Sequence, residues 1–244
     1  MARETRIYGL DGCPGGWVAA SCTADLLAVV TFTRVADQEL CSYLERLAGT
    51  SAVIAIDVPI GLAELEARVC DTAARGRLGA GRQTSVFSAP GRGTLAALDY
   101  VQACTLNREL QGRAISRQTW GIVKKIALVD QVLDELPGLA PQLWEAHPEV
   151  TFAELAVSPR GISARKKSVE GRRERLALLQ QHGLELDLER IRGQLGVGRV
   201  ARDDIVDAAA CLLTAARVAR GHATLLPAGP PPFDARGRRM QIAA

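Results

Sequence analysis

The chain has 244 residues, of which 48% are hydrophobic and 23% charged, with a formal net charge of +3. That composition excludes a disordered chain, and the length suits one large α/β domain whose core needs no staples. No stretch approaches the ~20 uninterrupted apolar residues of a membrane span. Met1-Ala2-Arg3-Glu4 leads into Ile7-Tyr8 without an apolar signal region, so a cytoplasmic location is expected.

The first third is rich in Val, Ile, Leu and Thr. Short β-type runs at 5–10, 17–22 and 26–34 are separated by Gly12-Cys13-Pro14-Gly15-Gly16 and Thr23-Ala24-Asp25, which predicts an antiparallel meander. A helix over about 37–47 follows, with Leu40, Leu44 and Leu47 at helical spacing. The almost wholly apolar run 51–56, closed by Asp57, predicts a strand buried on both faces. From 64 to 134 the pattern turns helical, with amphipathic stretches at about 94–110 and 117–136 flanking Gly112. Residues 142–146 predict another short strand, with Glu145 near its end and His147-Pro148 just after. A basic helical stretch runs over about 164–181, and the last helix over 203–220, with Asp203 as its expected N-cap. The proline-rich end, 226–244, is expected to be an extended tail. The six cysteines are scattered without a CxxC pair, and the three histidines stand apart from them, which favours free thiols over disulfides or zinc. Of 30 basic residues only four are lysines, in the pairs Lys124-Lys125 and Lys166-Lys167. A coding bias towards arginine accounts for most of this; the expectation is that lysine remains where a compact ammonium suits the task better than a guanidinium.

The chemistry should lie with the acids. Asp11 and Asp57 each end a predicted strand, Glu145 sits near the end of a third, and Asp204 and Asp207 share one face of a helix. If the strands are neighbours, these carboxylates meet at one sheet edge, where their mutual repulsion calls for a hard divalent cation, Mg²⁺ or Mn²⁺.

Several stretches carry a resemblance. Gly9-Leu10-Asp11-Gly12-Cys13-Pro14-Gly15-Gly16-Trp17 and Ile56-Asp57-Val58-Pro59-Ile60-Gly61-Leu62 resemble the opening motifs of a large bacterial and archaeal family, a domain of unknown function described as predicted RNase H-like nucleases. Ser85-Val86-Phe87-Ser88-Ala89-Pro90, Trp144-Glu145-Ala146-His147-Pro148-Glu149 and Asp203-Asp204-Ile205-Val206-Asp207-Ala208 extend the match over nearly the whole chain. The resemblance implies an RNase H-like five-stranded mixed sheet flanked by helices, in one domain over 1–225 with a helical insertion at about 64–140. It implies a nuclease that hydrolyses phosphodiester bonds with two Mg²⁺ or Mn²⁺ ions. Asp11 would bridge both ions, Asp57, Glu145 and Asp207 would hold one each, and Asp204 would stand beside the last as a catalytic acid, with Asp203 capping the helix.

Substrate contacts are expected from the basic stretch, above all Arg165, Lys166, Lys167 and Arg172, and from Arg82 in an earlier loop. Aromatics are only 4% of the chain, so a DNA or RNA partner would be held mainly through backbone phosphates. Two other readings share the architecture: a phosphotransferase of the actin-like and sugar-kinase type, and a non-catalytic nucleic-acid-binding module.

Overall fold

The computed structural model describes residues 5–25, 29–79, 81–156, 162, 164, 166 and 168–244. The chain divides into two compact units. One comprises Met1–Asp57, Leu136–Thr224 and Ala243–Ala244, the other Val58–Glu135 and Leu225–Ile242.

The first unit is built on a mixed sheet. Strands β1 (Arg6–Cys13), β2 (Gly16–Thr23) and β3 (Thr31–Ala36) form the expected meander, with Cys13 paired to Gly16 across the first turn. Gly15 at φ 64° supplies the left-handed turn residue that a side chain would strain. After the short helix α1 (Leu40–Glu45), β4 (Val53–Ile56) pairs parallel with β1, and β5 (Leu143–Ala146) pairs parallel with β4. The mixed α/β class is therefore as read from the sequence. The strand count is not five but seven, in the order β3-β2-β1-β4-β5-β7-β6, because the C-terminal segment is more than an extended tail. It contributes β6 (Leu225–Leu226) and β7 (Ile242–Ala243), and Thr224 and Ala244 exchange backbone hydrogen bonds of 2.8 and 2.9 Å.

Alternation decides which side chain faces what. Partners across the ladder share a face and neighbours along a strand do not. Leu10, Ile56 and Glu145 lie in register on one face; Ile7, Gly9, Asp11, Ala55 and Ala146 lie on the other. The second face is covered by α8 (Arg202–Ala219), whose Ala208, Ala209, Ala210, Cys211 and Leu212 are wholly buried in the core shared with Ile7, Ala55 and Ala146. The approach is so close that a Cβ on Gly9 would stand 2.1 Å from the backbone nitrogen of Leu212 and 2.3 Å from the carbonyl oxygen of Ala208.

Helices α5 (Pro148–Leu155), α6 (Val169–Gln181) and α7 (Leu188–Leu195) complete this unit. The sequence pattern hides α5 because six of its eight residues are buried, which erases the polar face that a helical period needs. Pro at its first position and His147 as its N-cap are the remaining signals.

The second unit carries α2 (Val69–Leu78), α3 (Tyr100–Gln111) and α4 (Arg117–Glu135). Helix α3 starts later than its pattern suggests, because Asp99 caps it by accepting from the Gln102 N–H at 2.8 Å. Arg92 and Arg238 are largely buried against Asp130, and Asp234 accepts from the backbone of Leu62, Arg236 and Arg238. No helix among the described residues is long and apolar enough to cross a membrane.

Gly9→Ala is expected to cost about 3 kcal/mol, since the clashing atoms are backbone and the helix must lift off the sheet. The urea unfolding midpoint measures this; an unchanged midpoint would mean that α8 does not press on β1 as described.

Candidate metal centre

Three acids converge at one end of the α8-covered face. Asp11 projects from β1 two residues beyond Gly9, so the close packing that needs a glycine also brings α8 to the carboxylate. Asp57 follows β4, and its N–H donates to the Leu10 carbonyl at 2.9 Å, which keeps it in the ladder beside Asp11. Asp207 comes from α8, one residue before the run of alanines. Carboxylate oxygens of the three lie within 4.8 Å of one another. Asp11 and Asp207 are buried, at 7% and 2% exposure.

Burial and mutual repulsion dominate the electrostatics. Asp11 is raised well above the ordinary carboxylate value, first by burial and then by the charges of Asp207 and Asp57. Asp57 is raised chiefly by burial, moderated by nearby His147 and Lys166 and by a hydrogen bond from Asp11. Both carboxyls are thus biased towards the protonated form when no cation offsets them. Asp207 is pushed up to about 7 by burial, against the pull of Lys166. Asp207 Oδ1 is buried without a hydrogen-bond partner among the described residues, while Oδ2 accepts from the Lys166 ammonium. Burial alone would lower the Lys166 ammonium, but Asp207, Asp11 and Asp57 together hold it charged. The cluster even reaches Cys211, one helical turn on, where burial and the three carboxylates keep the thiol protonated.

The other predicted site residues are placed differently. Glu145 is buried on β5, but its register puts it on the opposite face of the sheet from Asp11 and Asp57. The capping expected of Asp203 falls instead to Asp204. Asp204, third in α8, accepts from the Ala201 N–H at 2.8 Å and so caps the helix, whereas Asp203 sits 3.5 Å from Arg172. Burial raises Asp204 first of all, and its charge adds to the rise at Asp11. In the basic stretch, Lys166 joins the acids instead of standing free for substrate. Arg175 is buried in a bidentate pair with Glu149, Nη2 donating at 2.7 and 2.8 Å. Arg165 and Lys167 lie outside the described residues. Arg82 belongs to the second unit, in the turn ahead of residues 83–85. Lys166 is legible as a cation, from the basic stretch and the scarcity of lysine, but its contact with the acids is not.

Asp11, Asp57 and Asp207 suit a hard divalent cation. They offer only oxygen donors, carry more negative charge than the Lys166 ammonium offsets, and leave one buried oxygen unpaired among the described residues. The chain belongs to a family described as protein of unknown function (DUF429), whose profile matches residues 9–231. No curated protein and no solved structure matches the sequence.

A carboxyl whose folded value lies above its free value gains a proton on folding, so its contribution to stability falls as pH rises between the two. For Asp207 that window runs from about 4 to about 7. A divalent cation must expel those protons to bind, so its stabilisation grows across the same window. Thermal midpoints with Mn²⁺ against EDTA should differ little near the bottom of the window and most above it. A saturating ion adds about 2.7 kcal/mol at a hundredfold excess over its Kd. Asp207→Asn should abolish the difference. A gain that is independent of pH, or equal in the variant, contradicts the assignment.

Proposed function

We propose that the chain is a divalent-cation-dependent hydrolase acting on phosphodiester bonds of nucleic acid, on a core of the RNase H-like type. The observation that carries this reading is the convergence of Asp11, Asp57 and Asp207, with one buried Asp207 oxygen left without a donor among the described residues. The element sequence adds support: an antiparallel three-strand meander, a parallel strand ending at the second acid, and a long final helix bearing the third. That part of the argument is analogy of fold, and the chemistry rests on the acids.

Mg²⁺ or Mn²⁺ bound there would polarise a phosphoryl oxygen and activate water at neutral pH. Asp11, Asp57 and Asp207 would hold it in their ionised forms. Lys166 has a side chain 38% exposed, so it can turn from Asp207 towards solvent and offer its ammonium to a phosphate of the substrate. Arg172 is the second cation on this side, held loosely enough by Asp203 to serve likewise. Glu145 has no part in this reading, since its sheet face is the wrong one.

One observation favours a second reading. Lys166 already sits where a cation is needed, which would suit a non-catalytic nucleic-acid-binding module whose acids are permanently neutralised. A panel of single-stranded, duplex, branched and RNA substrates with Mn²⁺ or Mg²⁺ separates the two. Cleavage should appear with metal and fall at least about 100-fold in both Asp11→Asn and Asp57→Asn, more than loss of an outer-sphere partner costs. Cleavage that survives both variants overturns the nuclease reading. Salt-sensitive binding indifferent to metal and to Asp11→Asn establishes the second.

A further inference from the structure

The second unit contains a cavity of about 280 Å³ at the junction of the segment 86–89, the segment 113–116 and the start of α4. Its charge is unbalanced. Arg75 and Arg113 both line it, and no carboxylate does so among the described residues. Arg75 is fixed in place: Nε donates to the Val86 carbonyl at 3.0 Å, and Nη2 to the Ser88 hydroxyl at 2.5 Å. That second contact leaves the Ser88 O–H as a donor of its own.

Arg113 differs. It follows the left-handed Gly112 that ends α3, and its main-chain oxygen is anchored by Asn107 Nδ2 at 2.8 Å. Its Nη2 is buried yet has no hydrogen-bond partner among the described residues. A buried guanidinium nitrogen without an acceptor costs free energy unless something fills the role. Nothing in the metal centre explains it, because the cavity lies wholly within the other unit.

We propose that this cavity binds a phosphomonoester, with Arg113 and Arg75 on the phosphate oxygens. Two guanidiniums and neighbouring hydroxyls provide more donors than a carboxylate can accept, and the fork of an arginine matches a phosphate bidentately. The volume falls just under the ~300–1,000 Å³ of sites for drug-sized ligands, so the phosphate carries a small organic body. Val86 and Ile115 give that body an apolar wall, and Phe87, 39% exposed, a flat one. The phosphate could belong to a free small molecule or to the 5′-phosphate end of a nucleic-acid strand. The proposal does not depend on the nuclease reading.

Calorimetry on the full chain in EDTA, which silences the metal centre, tests it with phenyl phosphate and inorganic phosphate. Phenyl phosphate should bind saturably and more tightly than inorganic phosphate. Arg113→Gln should weaken it by about 10- to 100-fold, the range for losing a charged hydrogen bond. Arg113→Lys, which keeps the charge if the glutamine variant does not fold, should weaken it by a smaller factor. An oligonucleotide bearing a 5′-phosphate, compared with its 5′-hydroxyl form, identifies the source. Preference for the phosphorylated strand that vanishes in Arg113→Gln points to a strand end; no preference, with phenyl phosphate bound, points to a free metabolite. Absence of saturable binding by any of these, equal binding in all Arg113 variants, or the same heat from chloride at equal ionic strength overturns the proposal.

Discussion

Three carboxylates share a space a few ångströms across on one face of a sheet, most of it closed to water, with one ammonium to offset them. Like charges so placed cannot all stay ionised unless a cation joins them or protons are taken up. The chain responds in both ways at once: burial and neighbouring charge push Asp11 and Asp57 up towards their protonated forms, and Asp207 takes the Lys166 ammonium on one oxygen. Its other oxygen has no hydrogen-bond partner among the described residues. Without a compensating task, three apolar residues of similar size would pack this corner at lower cost.

The packing around the acids makes the arrangement possible. Gly9 has no side chain, so α8 can lie against β1, and the alanines after Asp207 keep that contact close along the helix. The same alternation that aims Asp11 at α8 turns Glu145 to the far face, although the two strand ends look equivalent on paper. Cations that a linear reading would hand to a substrate are partly consumed inside. Arg175 ties α6 to α5 through Glu149, and Arg172 leans towards Asp203 on α8. Removing either partner of the buried Arg175–Glu149 pair would leave a lone charge in the core.

Much of the fold was legible because the strands announce themselves. Val53-Ile54-Ala55-Ile56 is apolar on both faces, as a central parallel strand must be, and Gly15-Gly16 marks the tight turn of the meander. The acids at strand ends and on the last helix could be picked out one by one. What the sequence could not convey was register. A shift of one residue exchanges the faces of a strand, and nothing local distinguishes Glu145 from Asp57 in that respect. Capping is illegible for a related reason: Asp203 and Asp204 are adjacent, and only the observed start of α8 at Arg202 puts the second one where its carboxylate meets the Ala201 N–H. The short strands β6 and β7 were invisible because two residues carry no period. Lys166 was noticed for its rarity, but its partner lies 41 residues away.

Crystals soaked with Mn²⁺ and measured for anomalous scattering test the central claim most directly. The account predicts an anomalous peak bonded to oxygens of Asp11, Asp57 and Asp207, with the Lys166 side chain turned away from Asp207. Full occupancy of that contact by Lys166, with no peak among the three carboxylates, would contradict it.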